Sequence, residues 1–287
     1  MEKTSSGWIS GFIGVTIFAG SLPATRLAVA GFNPTFLTCA RASIAALLGL
    51  LLLLALKQPR PKPADLPSLA LSALGCVIGF PLLTALALQH ITSAHSIVFV
   101  GILPLCTAVF AVLRGGERPR PLFWLFSILG AAIVAGYAAI GGGGNSLQGD
   151  WLMLAAVIVC GMGYAEGARL SRVLGGWQVI SWALVLSLPL MLLIALLTWP
   201  ASFQHVPESA WIGLAYVSLF SMLIGFVFWY RGLAQGGIAA VGQLQLLQPF
   251  MGLGLAALIL HEQVNWTMLL VTLGAVVCVA AAKKYAR

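Results

Sequence analysis

Ten apolar runs, each about as long as a membrane-crossing helix, fill this chain from end to end and leave room for one class of fold. They cover about residues 7–30, 34–56, 66–88, 93–113, 121–140, 150–171, 177–199, 209–230, 237–260 and 264–282. A helix rises 1.5 Å per residue, so roughly 20 apolar residues cross the hydrocarbon layer of a bilayer. Inside that layer every backbone polar group needs a partner within the protein, a condition that helices and closed barrels meet. The runs are continuous rather than alternating, which selects helices. With 60% hydrophobic and 8% charged residues and a mean hydropathy of +1.01, the chain reads as an all-α integral membrane protein. Ten spans use about 200 of the 287 residues, so no separate soluble module is expected.

The breaks between the runs are polar or rich in helix breakers. Residues 57–65 carry Pro59, Pro61 and Pro63; residues 114–121 are basic; residues 141–149 form a glycine and serine linker. Trp8, Trp124, Trp151, Trp177, Trp199, Trp211 and Trp266 fall near run ends, as an interfacial aromatic belt requires. The first run follows Met1 to Ser5 without a small-residue cleavage site and is expected to stay as the first helix.

The net charge of +8 is scattered in small groups between apolar runs, so topology explains it better than a nucleic-acid partner. With the N-terminus cytoplasmic, thirteen of the fifteen Lys and Arg residues fall on inside ends and loops, and Arg26 and Arg41 alone fall on the other half. This is a positive-inside pattern with an even number of helices and both termini cytoplasmic. Cys39, Cys76, Cys106, Cys160 and Cys278 all lie inside apolar runs, with no CxxC pair and no His at metal-ligand spacing. They read as small buried hydrophobes, and neither a metal nor a cofactor is expected.

The chain also repeats itself. Trp8 and Trp151 differ by 143 positions, as do Arg26 and Arg169; Ile78-Gly79-Phe80 and Ile224-Gly225-Phe226 differ by 146; Pro104 and Pro249, like Glu117 and Glu262, differ by 145. Leu129-Gly130-Ala131 returns as Leu273-Gly274-Ala275. A near-constant offset implies two five-helix repeats, residues 1–140 and 150–287, joined by the linker at 141–149. Five is odd, so the second copy is inverted in the membrane. Two such halves can exchange conformations and open a midplane site alternately to either side, which is the logic of a transporter. No Walker-type phosphate-binding loop occurs, and no converging acid/base pair or metal cluster marks an enzyme.

These residues carry a resemblance. The stretch through Ser93, Pro104, Arg114-Gly115-Gly116-Glu117 and Leu129-Gly130-Ala131, and again through Gly232, Pro249, His261-Glu262 and Leu273-Gly274-Ala275, resembles the second half of an EamA domain. Gly20-Ser21 with Arg26, Pro34 and Arg41 resembles the domain's opening, with Phe18-Ala19 where the family usually has Trp before the Gly. The resemblance covers nearly the whole chain and implies the drug/metabolite transporter superfamily, within it the YddG-like amino-acid exporters. It implies ten-helix carriers with a central cavity lined mainly by the first, third, fourth, sixth, eighth and ninth helices. It does not fix the substrate.

Several residues are candidates to face such a cavity. Gln245 and Gln248 are three apart, share a helix face and fall near mid-membrane with Pro249. Their amides either bond a neighbouring helix or meet the charged ends of a zwitterionic substrate. Phe80, Phe99, Tyr164 and Trp229 offer aromatic surface suited to apolar side chains or organic cations, or else fill helix contacts. Ser21, Thr84, Ser96 and Ser221 are small polar groups at similar depth, each able to bond its own helix backbone instead. Pro104 and Pro249 each remove a backbone bond in paired helices and serve as hinges or as static kinks.

Among ionisable groups, Glu117 and Glu262 lie at helix ends as pairing or capping residues, and Glu166 is expected to pair with Arg169 three residues on. Arg41 sits well inside the second helix and requires a partner or a wet cavity. His90 and His95 lie near outer helix ends, as titrating groups or as interfacial structural ones. The reading is therefore a secondary transporter exporting small metabolites, foremost amino acids including aromatic and apolar ones. A drug or organic-cation exporter of methyl viologen type is the alternative, and a passive channel a remoter one. Its partners are the lipid bilayer and a small-molecule substrate, and it acts as a monomer or a dimer.

Overall fold

A computed structural model describes residues 2–115, 120–139, 146–236 and 241–285. Glu117, Arg118 and most of the glycine linker lie outside these described residues. Ten apolar helices follow in order: α1 (Ser6–Val29), α2 (Pro34–Ala55), α3 (Pro63–Ala87), α4 (Ser93–Thr107), α5 (Pro121–Val134), α6 (Leu147–Leu174), α7 (Gly176–Leu197), α8 (Glu208–Gly232), α9 (Leu244–Leu260) and α10 (Trp266–Ala282). Six of them, α1 to α3 and α6 to α8, are long and apolar enough to cross a membrane; the other four are shorter. No strand occurs among the described residues. The outer surface is apolar, as lipid contact requires: Leu54, Leu197 and Leu258 are exposed, and so are Trp8, Trp124, Trp151, Trp199, Trp211 and Trp266 near helix ends.

The packing follows the repeat. Helix α1 lies against α8 and α3 against α6, while α2 packs on α7, α5 on α10 and α4 on α9. Exchanging the two halves turns α1–α8 into α6–α3 and leaves the other three pairs unchanged. This is the contact pattern of two five-helix repeats related by a two-fold axis, with the second inverted. Glycines let these pairs close. A Cβ at Gly75 of α3 would fall 2.6 Å from Gly163 Cα of α6, and one at Gly232 of α8 would fall 2.7 Å from Gly11 Cα of α1. Without a hydrophobic drive between helices in lipid, such backbone contact supplies dispersion energy that larger residues would forfeit.

Irregular stretches recur at matched places. Helices α3 and α8 each contain a π-helical segment, Ala73–Gly79 and Tyr216–Ile224, where the backbone bonds five residues back instead of four. Helix α4 breaks after Val100, where the N–H groups of Gly101 and Ile102 bond three residues back, before Leu103–Gly115 resumes. In α9 a 3₁₀ turn, Gly242–Leu247, precedes Gln248–Leu260. Pro104 and Pro249 therefore each stand in the first turn of a restarted helix, where the missing N–H lacks an intrahelical partner anyway. The expectation of a bond removed from a continuous helix is corrected accordingly: the tight turn before each proline makes the break.

Polar groups at helix ends tie the helices together, within and across the halves. Glu262, just past α9, accepts from the Ser93 and Ala94 N–H groups at 3.1 and 2.7 Å and from Ser93 Oγ at 2.8 Å. It caps the N-terminus of α4, where the helix dipole favours an anion. Arg169 donates to Glu166 at 2.9 Å and to Ser68 Oγ of α3 at 2.5 Å. Arg26 donates to the Leu88 carbonyl at the end of α3, a favourable seat for a cation.

Candidate functional site

A small cavity of about 30 Å³ lies where the two repeats meet, lined from α1, α2, α3, α4, α6, α8 and α9. By the roughly 10–15 Å³ that one water needs, it holds about two waters, so a metabolite enters only if the helices around it part. Its lining obeys the repeat. Ser21 and Tyr164 are 143 positions apart, Phe80 and Phe226 are 146 apart, and Leu103 and Gln248 are 145 apart; each pair faces the same space. The two-fold relation between the halves therefore runs through the cavity.

The irregular stretches place this lining. Cys76 lies in the π-helical part of α3, with Phe80 and Pro81 just after it, while Ser221 and Met222 lie in the π-helical part of α8. Gln248 begins the regular part of α9. The walls are aromatic: Phe18 and Phe226 meet edge to face with centroids 4.9 Å apart, and Tyr164 meets Phe226 at 5.9 Å. At one side Ser21 Oγ and Ser221 Oγ are 2.7 Å apart, joining α1 of one repeat to α8 of the other. Arg41 of α2 donates from Nη2 to Ser221 Oγ at 3.3 Å. No acidic side chain lines the cavity among the described residues.

Of the residues expected from sequence, Ser21, Thr84, Phe80, Tyr164 and Gln248 come together here. Thr84 spends its hydroxyl on the Phe80 and Pro81 carbonyls of its own helix, at 2.7 and 3.1 Å. Gln248 Oε1 is buried and has no hydrogen-bond partner among the described residues. Gln245 shares its face, as residues three apart do on a 3₁₀ turn, yet the cavity ends before it; it is buried with Nε2 unpartnered. Phe99 turns away and packs beside His95, ring centroids 5.7 Å apart. Trp229 is fully buried behind the wall, 6.4 Å from the Phe18 ring. Pro104 and Pro249 flank the cavity residues Leu103 and Gln248 without lining it.

Sequence reasoning missed Phe18, Thr25, Cys76, Cys160 and Phe226 as lining residues, while Arg41, expected to need a partner or a wet cavity, lines it too. The repeat offset signals Phe226 from Phe80. Arg41 carries the plainest signal, a charge deep inside an apolar helix.

Comparison with known proteins agrees with this architecture. The description of the EamA-like transporter family matches the chain twice, over residues 5–138 and 147–282. The chain belongs to the EamA-like transporter family. The uncharacterized transporter YdeK of Bacillus subtilis (strain 168) is 66% identical over 287 residues, all of both chains. A probable terminal-alkyne amino-acid exporter of Streptantibioticus cattleyicolor is 26% identical over 247 residues, 82% of this chain and 79% of that one. A crystal structure with 19% identity superposes with a TM-score of 0.67, covering 97% of this chain and 98% of the other, and so shares the fold. The protein is thus a multi-pass membrane transporter of the drug/metabolite superfamily, built as two repeats of the EamA unit.

Proposed function

We propose that this transporter exports small metabolites, foremost amino acids, from the cytoplasm across a bacterial inner membrane, without changing them chemically. Both of its termini face the cytoplasm in this reading. The observation that carries the reading is the cavity between the repeats, lined by symmetry-related pairs and holding an unpartnered amide oxygen at Gln248. A cavity on the two-fold relation can open to either side when the halves exchange conformations. The amide and the Ser21 and Ser221 hydroxyls suit the polar end of an amino acid, and the aromatic wall suits its side chain. The distant likeness to an amino-acid exporter supports the same substrate class.

The aromatic wall alone also suits an organic cation. The Arg41 guanidinium in the same cavity weighs against it, because like charge repels without solvent to screen it. The deciding experiment is uptake of labelled leucine and phenylalanine by vesicles containing the purified protein, competed with unlabelled amino acids and with methyl viologen. Saturable uptake competed by amino acids is expected. Competition by methyl viologen alone would reverse the order of the two readings.

A further inference from the structure

Two arginines of the membrane helices, Arg169 and Arg26, are matched. Arg169 has the Glu166 carboxylate and Ser68, and Arg26 has the carbonyl at the end of α3. Arg41 is different. It lies seven residues past Pro34, about 10 Å along α2, and is 5% exposed. Its one hydrogen bond is the 3.3 Å contact to Ser221 Oγ, its Nε is buried without a partner, and no carboxylate is within ion-pair distance, all among the described residues. A guanidinium offers five donors in a planar fork, and burying them unmatched inside a membrane destabilises the fold. Arg41 also lines the central cavity, beside two hydroxyls held together at 2.7 Å. A planar two-oxygen anion would complete this arrangement, taking paired bonds from the fork and further bonds from Ser21 and Ser221.

We propose that Arg41 is the seat of the substrate's carboxylate, so that the cavity selects small carboxylate-bearing metabolites and rejects their amine counterparts. This deepens the amino-acid reading and rests on it for the location of the transport site. The carboxylate is held at α2 and α8, the apolar side chain lies along Phe18, Phe80 and Phe226, and Gln248 Oε1 accepts from the ammonium group. The second helix, which the family resemblance does not place around the cavity, thereby supplies the charge that sets specificity.

The test measures binding to detergent-purified protein for three matched triads: alanine, propionate and ethylamine; leucine, 4-methylpentanoate and isoamylamine; phenylalanine, phenylpropionate and phenethylamine. At least one acid-bearing pair is expected to bind while its amine does not, and Arg41→Met is expected to weaken that binding roughly 10- to 100-fold, with Arg41→Lys recovering part of it. Without ligand, Arg41→Met is expected to melt no lower than wild type, because it removes a buried charge that lacks a counterion. Binding of the acids without the amino acids would uphold Arg41 and reject amino acids as the cargo. Binding of the amino acids with unchanged affinity in Arg41→Met would uphold the cargo and overturn the role of Arg41. An amine that binds as tightly as its amino acid, or no acid binding at all, also overturns it. Should Arg41→Met not fold, Ser21→Ala with Ser221→Ala takes its place, and undiminished carboxylate affinity there overturns the proposal.

Discussion

His95 Nε2 lies 2.6 Å from Asp150 Oδ1, joining the start of α4 in the first repeat to the start of α6 in the second. The Tyr137 hydroxyl lies 3.0 Å from His95 Nδ1, and both His95 and Asp150 are buried. The two ring nitrogens of His95 thus each meet a polar partner, Asp150 at Nε2 and the Tyr137 hydroxyl at Nδ1. The cluster gives His95 a built structural setting across the repeat junction.

Removing the Asp150 carboxylate deletes a buried 2.6 Å contact across the repeat junction, a loss of about 1–3 kcal/mol. Asp150→Ala should therefore lower the melting temperature more than Tyr137→Phe, which deletes a hydroxyl at the longer, 3.0 Å contact. A double-mutant cycle between His95 and Asp150 should show coupling well above the scatter expected for distant sites. Additive effects would mean the contact contributes nothing to holding the repeats together.

Cys76 and Cys160 line the cavity from α3 and α6, whereas the other three cysteines do not. A small thiol reagent should therefore inhibit transport, and saturating substrate should slow that inhibition at least severalfold. Replacing Cys76 and Cys160 together with Ala should abolish the sensitivity, while the corresponding triple variant at Cys39, Cys106 and Cys278 keeps it. Inhibition that is indifferent to substrate would separate these thiols from the transport route.

Pro104 and Pro249 stand at matched helix restarts next to the cavity residues Leu103 and Gln248. If these restarts flex during transport, removing the proline ring in Pro104→Ala or Pro249→Ala lifts its clash with the carbonyl four residues back, so the tight turn before it relaxes toward continuous helix and stiffens. Each variant should bind substrate within about twofold of wild type and transport it several times more slowly. Wild-type rates in both folded variants would assign the prolines to static packing.

The proposed orientation, with both termini cytoplasmic, puts the connector at 57–65 inside and the connector at 199–207 outside. In a cysteine-free background, Arg60→Cys should react with an impermeant thiol reagent only from the cytoplasmic side, and Gln204→Cys only from outside. Both native residues are exposed, so access itself is not limiting. Labelling of both from one face would remove the ten-helix topology.

Much of this architecture is legible in the amino-acid order, and the reason is physical. Helix length follows from apolar run length, and the paired offsets of Pro104 with Pro249 and Phe80 with Phe226 reveal the repeat before any coordinates do. The Glu166–Arg169 pair is local, and the capping role of Glu262 follows from its place at a helix end. Which face of a helix looks inward is another matter. Lipid and protein core are both apolar, so helices such as α3 and α8 show no polar stripe to mark their orientation. The cavity positions of Phe18 and Cys160, the retreat of Phe99 and Trp229, and the pairing of His95 with a residue 55 positions away all depend on rotation and packing. The π-helical segments had no sequence signal either, yet they bring Cys76 and Ser221 to the cavity.

Counterflow through Gln248 tests the central claim most directly, that one cavity between the repeats carries amino acids by alternating access. Vesicles containing the protein are loaded with unlabelled leucine or phenylalanine, diluted, and followed for transient accumulation of the labelled amino acid. Wild type should accumulate label above equilibrium and then lose it, since unlabelled substrate inside competes with the label for the site and slows its exit. Gln248→Leu, which removes the unpartnered amide at similar volume, should weaken apparent affinity roughly tenfold or more. Uptake that never exceeds equilibrium, or a Gln248→Leu protein that folds and performs counterflow with wild-type affinity, would contradict the account.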